Sequence, residues 1–127
     1  MDPKTLRFSK THEWVHLDGD IATVGVSDFA VKELTDIVHL EFPAVGTSVS
    51  AGQPFGEIES VKSVNDLYSP VAGVIEAVNS DLEDNLALMS DDPYGAGWVV
   101  RIKVSDASAY ESLLDHAAYE QMCQSGH

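Results

Sequence analysis

Closely spaced turn sequences restrict this chain to short secondary-structure elements. Runs rich in β-branched and aromatic residues alternate with clusters of glycine, proline, serine and aspartate. The runs cover residues 21–26, 37–42, 55–61, 64–68 and 74–78. Short strands bounded by turn residues are typical of an all-β sandwich or barrel. The pattern therefore predicts a mainly β fold.

The length and composition fit one globular domain. With 127 residues and an apolar fraction of 44%, the chain can bury a single core. We expect one domain over 1–127, with a β core at about 6–104 and a helical tail at about 105–127. Ser27 or Asp28 is expected to cap a short helix, and Asp106 and Asp115 are expected to cap two short helices of the tail.

The charge balance limits the partners that this chain can have. Seven basic and 21 acidic residues give a formal charge of −14, which disfavours nucleic acid and anionic membranes. Basic patches on other proteins are favoured, although a solvated acidic surface without a particular partner explains the charge equally well. Cys123 is the only cysteine, so no disulfide within the chain can form, and a reducing compartment is expected.

The expected location is the cytoplasm, or the mitochondrial matrix if the chain is a processed organellar protein. No apolar run reaches the length of a membrane span. The first residues lack the apolar region of a signal peptide and the arginines of a transit peptide.

Residues 12–16 contain a His-Glu-x-x-His motif, which binds zinc when it lies on a helix. Here the motif leads into a turn at 18–20 and then into a β-branched run, so we expect a hairpin. On a strand, His12 and His16 would lie roughly 13 Å apart. A zinc hydrolase is therefore the least favoured function.

Lys62 lies at a predicted turn and is the only lysine or arginine between Lys32 and Arg101. Three roles are open for such an amine. It can be a solvated residue at a sheet edge, a Schiff-base nucleophile, or an amine that another enzyme acylates. A nucleophile must be held uncharged by burial or by a nearby cation, whereas Glu59 and Asp66 favour the charged amine.

Several separate motifs resemble those of the glycine cleavage system H proteins. Glu59-Ser60-Val61-Lys62, followed by residues 66–73, resembles the lipoyl-attachment hairpin of that family. Residues 11–15, 24–28, 36–38 and 92–98 match further blocks in the same order. The resemblance covers about 6–104 and continues more loosely into the tail. Thr35, Leu86 and Ser90 depart from the usual glycine, proline and asparagine, which affects local loop geometry.

The resemblance implies a barrel-sandwich hybrid of the lipoyl/biotinyl type, with short peripheral and C-terminal helices. It also implies a non-catalytic, monomeric carrier with lipoate attached to Lys62 by an amide bond. Lipoate-attaching enzymes would modify the lysine. The carrier would then move the aminomethyl group of glycine and reducing equivalents between three partners: glycine decarboxylase (P protein), aminomethyltransferase (T protein) and dihydrolipoyl dehydrogenase (L protein).

Five further residues match family positions. Glu59 and Gly73 match positions suited to recognition by the lipoate-attaching enzymes. Thr11, Glu13 and Asp66 match a cleft for the loaded arm, in which carboxylates would face a cationic amine. The structural alternatives are solvated carboxylates and, for Gly73, a turn glycine with positive φ.

One alternative function shares the same hairpin. An H-like protein that relays lipoyl groups to other proteins, or that serves another one-carbon pathway, needs the same exposed lysine. The sequence leaves both functions open.

Overall fold

The fold is mainly β, as the turn spacing predicts. The computed structural model describes residues 2–34 and 36–124. Its strands are β1 (Arg7–Phe8), β2 (Glu13–Asp18), β3 (Ile21–Val26), β4 (Ile37–Glu41), β5 (Ser48–Val49), β6 (Pro54–Ser60), β7 (Val64–Tyr68), β8 (Ala72–Val78), β9 (Val100–Asp106) and β10 (Leu114–Asp115).

The described strands form two antiparallel sheets. The larger sheet has the order β10-β1-β2-β3-β9-β8-β5, and the smaller sheet has the order β4-β6-β7. No strand pairing joins the two sheets within the described ranges. The predicted hybrid fold therefore consists of two sheets and is not a closed barrel.

Short helices lie around the sheets. They are a 3-10 turn at Pro3–Thr5, α1 (Asp28–Leu34), α2 (Asp81–Asp84), α3 (Leu88–Asp91), α4 (Ser108–Glu111) and α5 (His116–Gln124). The Ser27 hydroxyl accepts a hydrogen bond from the Ala30 N–H at 3.2 Å, which confirms the predicted cap of α1. Thr35 lies outside the described residues. In the part of the chain that is described, no helix is long and apolar enough to cross a membrane.

The β2–β3 hairpin replaces the helix that a His-Glu-x-x-His zinc site requires. Residues 13–18 pair with residues 21–26 in antiparallel register, as predicted from the intervening turn. Trp14 lies opposite Gly25, and a Cβ on this glycine would come within 2.6 Å of the indole ring. A side chain at Gly25 would therefore displace the fully buried Trp14.

The tail is tied to the larger sheet. The short strand β10, which the sequence did not predict, pairs with β1 and separates the two predicted tail helices. Asp115 accepts a hydrogen bond from the Ala118 N–H at 2.8 Å, as expected of a capping residue. The cap predicted at Asp106 is wrong by one position, because Ala107 is the N-cap of α4 and Asp106 ends β9, where it accepts from the Ser108 N–H at 3.0 Å. Helix α5 packs through Tyr119, whose ring stacks on Phe8 with a centroid distance of 4.4 Å. The tail thus closes a small second core.

Candidate functional site

Lys62 lies at the exposed tip of the β6–β7 hairpin. The last pair of the two strands joins Glu59 to Val64, and Val61, Lys62 and Ser63 form the connecting turn. All three turn residues are exposed. Lys62 is therefore exposed and is not packed inside the molecule.

Ser60 fixes the backbone of this turn. It is 4% exposed, and its N–H donates to the Ser63 carbonyl at 2.8 Å. Its hydroxyl oxygen accepts from the N–H groups of Lys62 at 3.3 Å and Ser63 at 3.2 Å. The buried Ser60 side chain thus holds two backbone N–H groups of an exposed turn by hydrogen bonds.

A neighbouring strand supports the turn from the side. The Val61 N–H donates to the carbonyl of Asp36 at 3.0 Å, just before β4 begins. Ile37 pairs with Ser60, so β4 reaches the base of the same turn. The turn that carries the lysine is therefore held by β4 in addition to the two strands of its own hairpin.

A cavity of about 730 Å³ opens beside β7. Its walls come from the β1–β2 loop, helix α1, strands β6 and β7, and the end of helix α5. Thr11, Glu13 and Asp66, which the sequence assigns to a cleft, all line this cavity. Asp66 follows Lys62 by four residues, which limits their Cα separation to roughly 13 Å.

Glu13 is buried rather than solvated. Only 1% of its surface is exposed, and its carboxylate accepts hydrogen bonds from the Ser9 hydroxyl at 2.7 Å, the Thr11 hydroxyl and the Tyr68 N–H at 3.2 Å. Burial raises the pKa of Glu13 above its ordinary value, while the bonds from Thr11, Ser9 and Tyr68 oppose the rise. The solvated-carboxylate alternative is wrong for this residue.

Asp66 lies in a row of carboxylates across the smaller sheet. Glu57 pairs with Glu41 on one side and with Asp66 on the other, so three acidic residues are directly opposite one another. Asp66 is exposed and forms the open edge of the cavity. Like charges in this register repel each other.

Glu59 and Gly73 occupy different sheets. Glu59 is half-buried on β6, three residues before Lys62. Gly73 is buried in β8, where it pairs with Val49 and Val104. It does not have positive φ, so the turn-glycine alternative is wrong. A Cβ at this position would lie 2.1 Å from the Lys103 carbonyl oxygen, so the close approach of β9 explains the glycine.

The family model for glycine cleavage H-proteins matches residues 6–126, which includes the whole site. The chain belongs to this family. A glycine cleavage system H protein of Rhodopirellula baltica is 49% identical over 126 residues, covering 96% of this chain and 95% of that protein. One of Rubrobacter xylanophilus is 52% identical over 104 residues, covering 82% of each.

A solved H-protein structure has the same fold. The crystal structure of a glycine cleavage system H protein from Mycobacterium marinum superposes with a TM-score of 0.87 at 36% identity. The match covers 98% of this chain and 99% of that one. Membership of the H-protein family supports a carrier role in glycine cleavage.

Two hydrogen-bond donors to Glu13 were missed by the sequence reasoning. One is Ser9, which bonds Glu13 through its hydroxyl. The other is the Tyr68 N–H, since a backbone donor has no sequence signature. Ser9 and Glu13 are four residues apart on either side of a turn, and this spacing with a hydroxyl could have indicated the contact.

His12 belongs to the cavity wall. It lies just before β2 with a φ of 79°, and its Nδ1 is 2.7 Å from the Tyr119 hydroxyl, which also contacts the Ser27 hydroxyl. Among the described residues, no group of three or more histidine, cysteine, aspartate and glutamate side chains is placed to hold a metal ion. Through Tyr119, His12 connects the cavity to helix α5.

Proposed function

We propose that this chain is the non-catalytic lipoyl carrier of a glycine cleavage system, with lipoate attached to Lys62. The observation that carries the proposal is the exposed Lys62 on a turn that Ser60 holds, in a member of the H-protein family. An acylating enzyme needs both an accessible amine and a defined backbone around it.

The residues around Lys62 fit an acyl arm. The amide bond removes the lysine charge, and the extended side chain with its acyl group reaches roughly 10–15 Å. Asp66 lies within that range along β7, at the open edge of the cavity. The cavity, at about 730 Å³, is large enough for the end of such an arm.

The chain supplies attachment and shelter, and the lipoyl group supplies the chemistry. A lipoyl group offers a disulfide that accepts electrons and a one-carbon unit. Lys62 would hold the group, and the cavity would limit its contact with bulk water. The Glu13 and Asp66 carboxylates would face the cationic amine of the loaded arm, and Thr11 would help to orient Glu13 through its hydrogen bond.

The proposal includes the partners that the sequence implies. Glycine decarboxylase, aminomethyltransferase and dihydrolipoyl dehydrogenase would each meet the arm in turn, in the cytoplasm and with a monomeric carrier of one domain. Tethering raises the local concentration of the reacting sulfur once the carrier docks. Glu59 is proposed to contribute to recognition by the lipoate-attaching enzymes because it is next to the turn. Gly73 would contribute by keeping β8 and β9 close together.

Mass spectrometry tests the attachment. The purified protein is incubated with a lipoate-attaching enzyme, ATP and lipoate, and the product is mapped by peptide analysis. We expect one lipoyl group on Lys62 in the native protein and none in Lys62→Arg. Lys103→Arg is the matched control and should accept one group. A native protein that stays unmodified would contradict the proposal.

Reconstitution separates glycine cleavage from a lipoyl relay. The lipoylated protein is mixed with the three partner enzymes, tetrahydrofolate and NAD, and glycine-dependent NADH formation is followed. We expect turnover that depends on the lipoylated protein. Lipoylation without any turnover would favour the relay function or another one-carbon pathway.

A further inference from the structure

We propose that Ser9 is a positioning residue that holds the Glu13 carboxylate toward the cavity. This inference rests on the proposed role of Glu13 beside the loaded arm. Ser9 was not assigned to the site by its sequence, and it lies on the β1–β2 loop.

Ser9 makes several contacts to one short loop. Its hydroxyl donates to the Glu13 carboxylate at 2.7 Å, and the same oxygen accepts from the Glu13 N–H at 3.1 Å. Its backbone N–H donates to the Glu13 carbonyl at 2.9 Å. Ser9 therefore fixes both the main chain and the side chain of Glu13.

The two carboxylate oxygens of Glu13 have different partners. Oε1 accepts from Ser9 and Thr11, while Oε2 accepts from the Tyr68 N–H at the end of β7. The carboxylate thus connects the β1–β2 loop of the larger sheet to the hairpin that carries Lys62. Without the Ser9 hydroxyl, Oε1 depends on Thr11, which is exposed.

Ser9 also helps to keep a buried carboxylate ionised. Burial favours the protonated form of Glu13, and a hydrogen bond from the Ser9 hydroxyl favours the charged form. Only the charged form attracts a cationic amine. Other titratable groups that line the same cavity are Lys10, His12, Glu33, Asp66, Tyr68 and Cys123, and all of them are retained in the variants below.

The test measures the pKa of Glu13 in the protein without lipoate, by following its side-chain carboxyl carbon in NMR titrations. Losing a hydrogen bond to a charged group should raise this pKa by about one unit in Ser9→Ala. Ser9→Thr keeps the hydroxyl and should leave the pKa near the native value. Ser48→Ala, on the exposed face of β5, is the matched control. An unchanged pKa in Ser9→Ala would overturn the proposal.

A second variant covers the case in which Ser9→Ala does not fold. Ser9→Cys keeps the size of the side chain and replaces a strong donor with a weak one, so the Glu13 pKa should rise. A native pKa in Ser9→Cys would overturn the proposal on its own.

A double-mutant comparison tests whether Ser9 acts through Glu13. In the lipoylated and loaded protein, Ser9→Ala should shorten the lifetime of the load, and it should have no further effect when Glu13→Gln is already present. An equal additional loss in the Glu13→Gln background would show that Ser9 acts independently. Failure of Lys62 to accept lipoate in all variants would contradict the proposed function and leave the pKa result standing.

Discussion

The Ser60 hydroxyl and the Lys62 backbone N–H lie 3.3 Å apart, so a buried serine fixes the main chain of an exposed lysine. Ser60→Ala should remove about 1 kcal/mol of stability. The lipoate-attaching enzyme would then have to order the turn itself, so kcat/KM for lipoylation should fall, by at most about fivefold. Initial lipoylation rates measure the effect, and Ser48→Ala should lipoylate at the native rate. A native lipoylation rate in Ser60→Ala would mean that the enzyme does not depend on the conformation of this turn.

Glu13 and Asp66 should protect the loaded arm. Glu13→Gln combined with Asp66→Asn removes two of the three carboxylates that line the cavity and leaves Glu33 in place. The load should then decay faster than in the native protein. The decay of the loaded protein at neutral pH measures this directly. Glu76→Gln with Asp81→Asn, at exposed positions outside the cavity lining, is the matched control. An unchanged decay rate in the cavity variant would exclude the protective role.

The raised pKa of Glu13 has a defined effect on stability. Between its ordinary value of 4.5 and its higher value in the folded protein, the folded state binds more protons than the unfolded state, so this residue's contribution to stability falls as pH rises. Glu13→Gln removes the titration. The stability of the variant relative to the native protein should therefore increase as pH rises above about 4.5 and then level off. Denaturant unfolding at several pH values tests the sign, and a difference that decreases with pH would contradict it.

Gly73→Ala should destabilise the protein through a backbone collision. The new Cβ would lie 2.1 Å from the Lys103 carbonyl oxygen, so β8 and β9 would have to separate, at a cost of about 3 kcal/mol. The neighbouring Val74→Ala is the control, because Val74 is exposed. Thermal unfolding should be measured before lipoylation. If Gly73→Ala is lipoylated less only where it is also unfolded, the loss comes from the lower stability and not from recognition. Native stability in Gly73→Ala would show that the two strands adapt.

The row of three carboxylates across the smaller sheet should destabilise the fold by charge repulsion, and one substitution should relieve part of it. Glu57 stands between Glu41 and Asp66, so Glu57→Gln should raise stability by about 0.5 kcal/mol at low salt and by less at high salt. Denaturant unfolding at two salt concentrations measures both effects. Glu111→Gln, on the exposed surface of α4, should change little. A loss of stability in Glu57→Gln would mean that the row makes favourable contacts.

Local patterns predicted most of the fold because turns and strand composition act over a few residues. The β2–β3 hairpin follows from the turn at 18–20, and the cap at Asp115 follows from its position before a short helix. Strand β10 could not be predicted in this way. It has two residues, and its pairing with β1 depends on a partner more than 100 positions away.

At the site, too, contacts between residues that are distant in the sequence could not be predicted. Lys62 and the cavity positions of Thr11, Glu13 and Asp66 were predicted from motifs, and the structure brings the last three to one cavity. The burial of Glu13 was not predicted, because its surroundings include β7, which lies more than 50 residues away in the sequence. The true constraint on Gly73 was also missed, since it comes from the β9 backbone and not from a turn.

The hydrogen bond from the Val61 N–H to the Asp36 carbonyl joins the hairpin tip to a third strand. This bond restrains the tip from bending away from β4. In the proposed carrier, movement of the arm between reaction centres would therefore come mainly from rotation about the single bonds of the modified lysine, and from reorientation of the whole molecule between encounters.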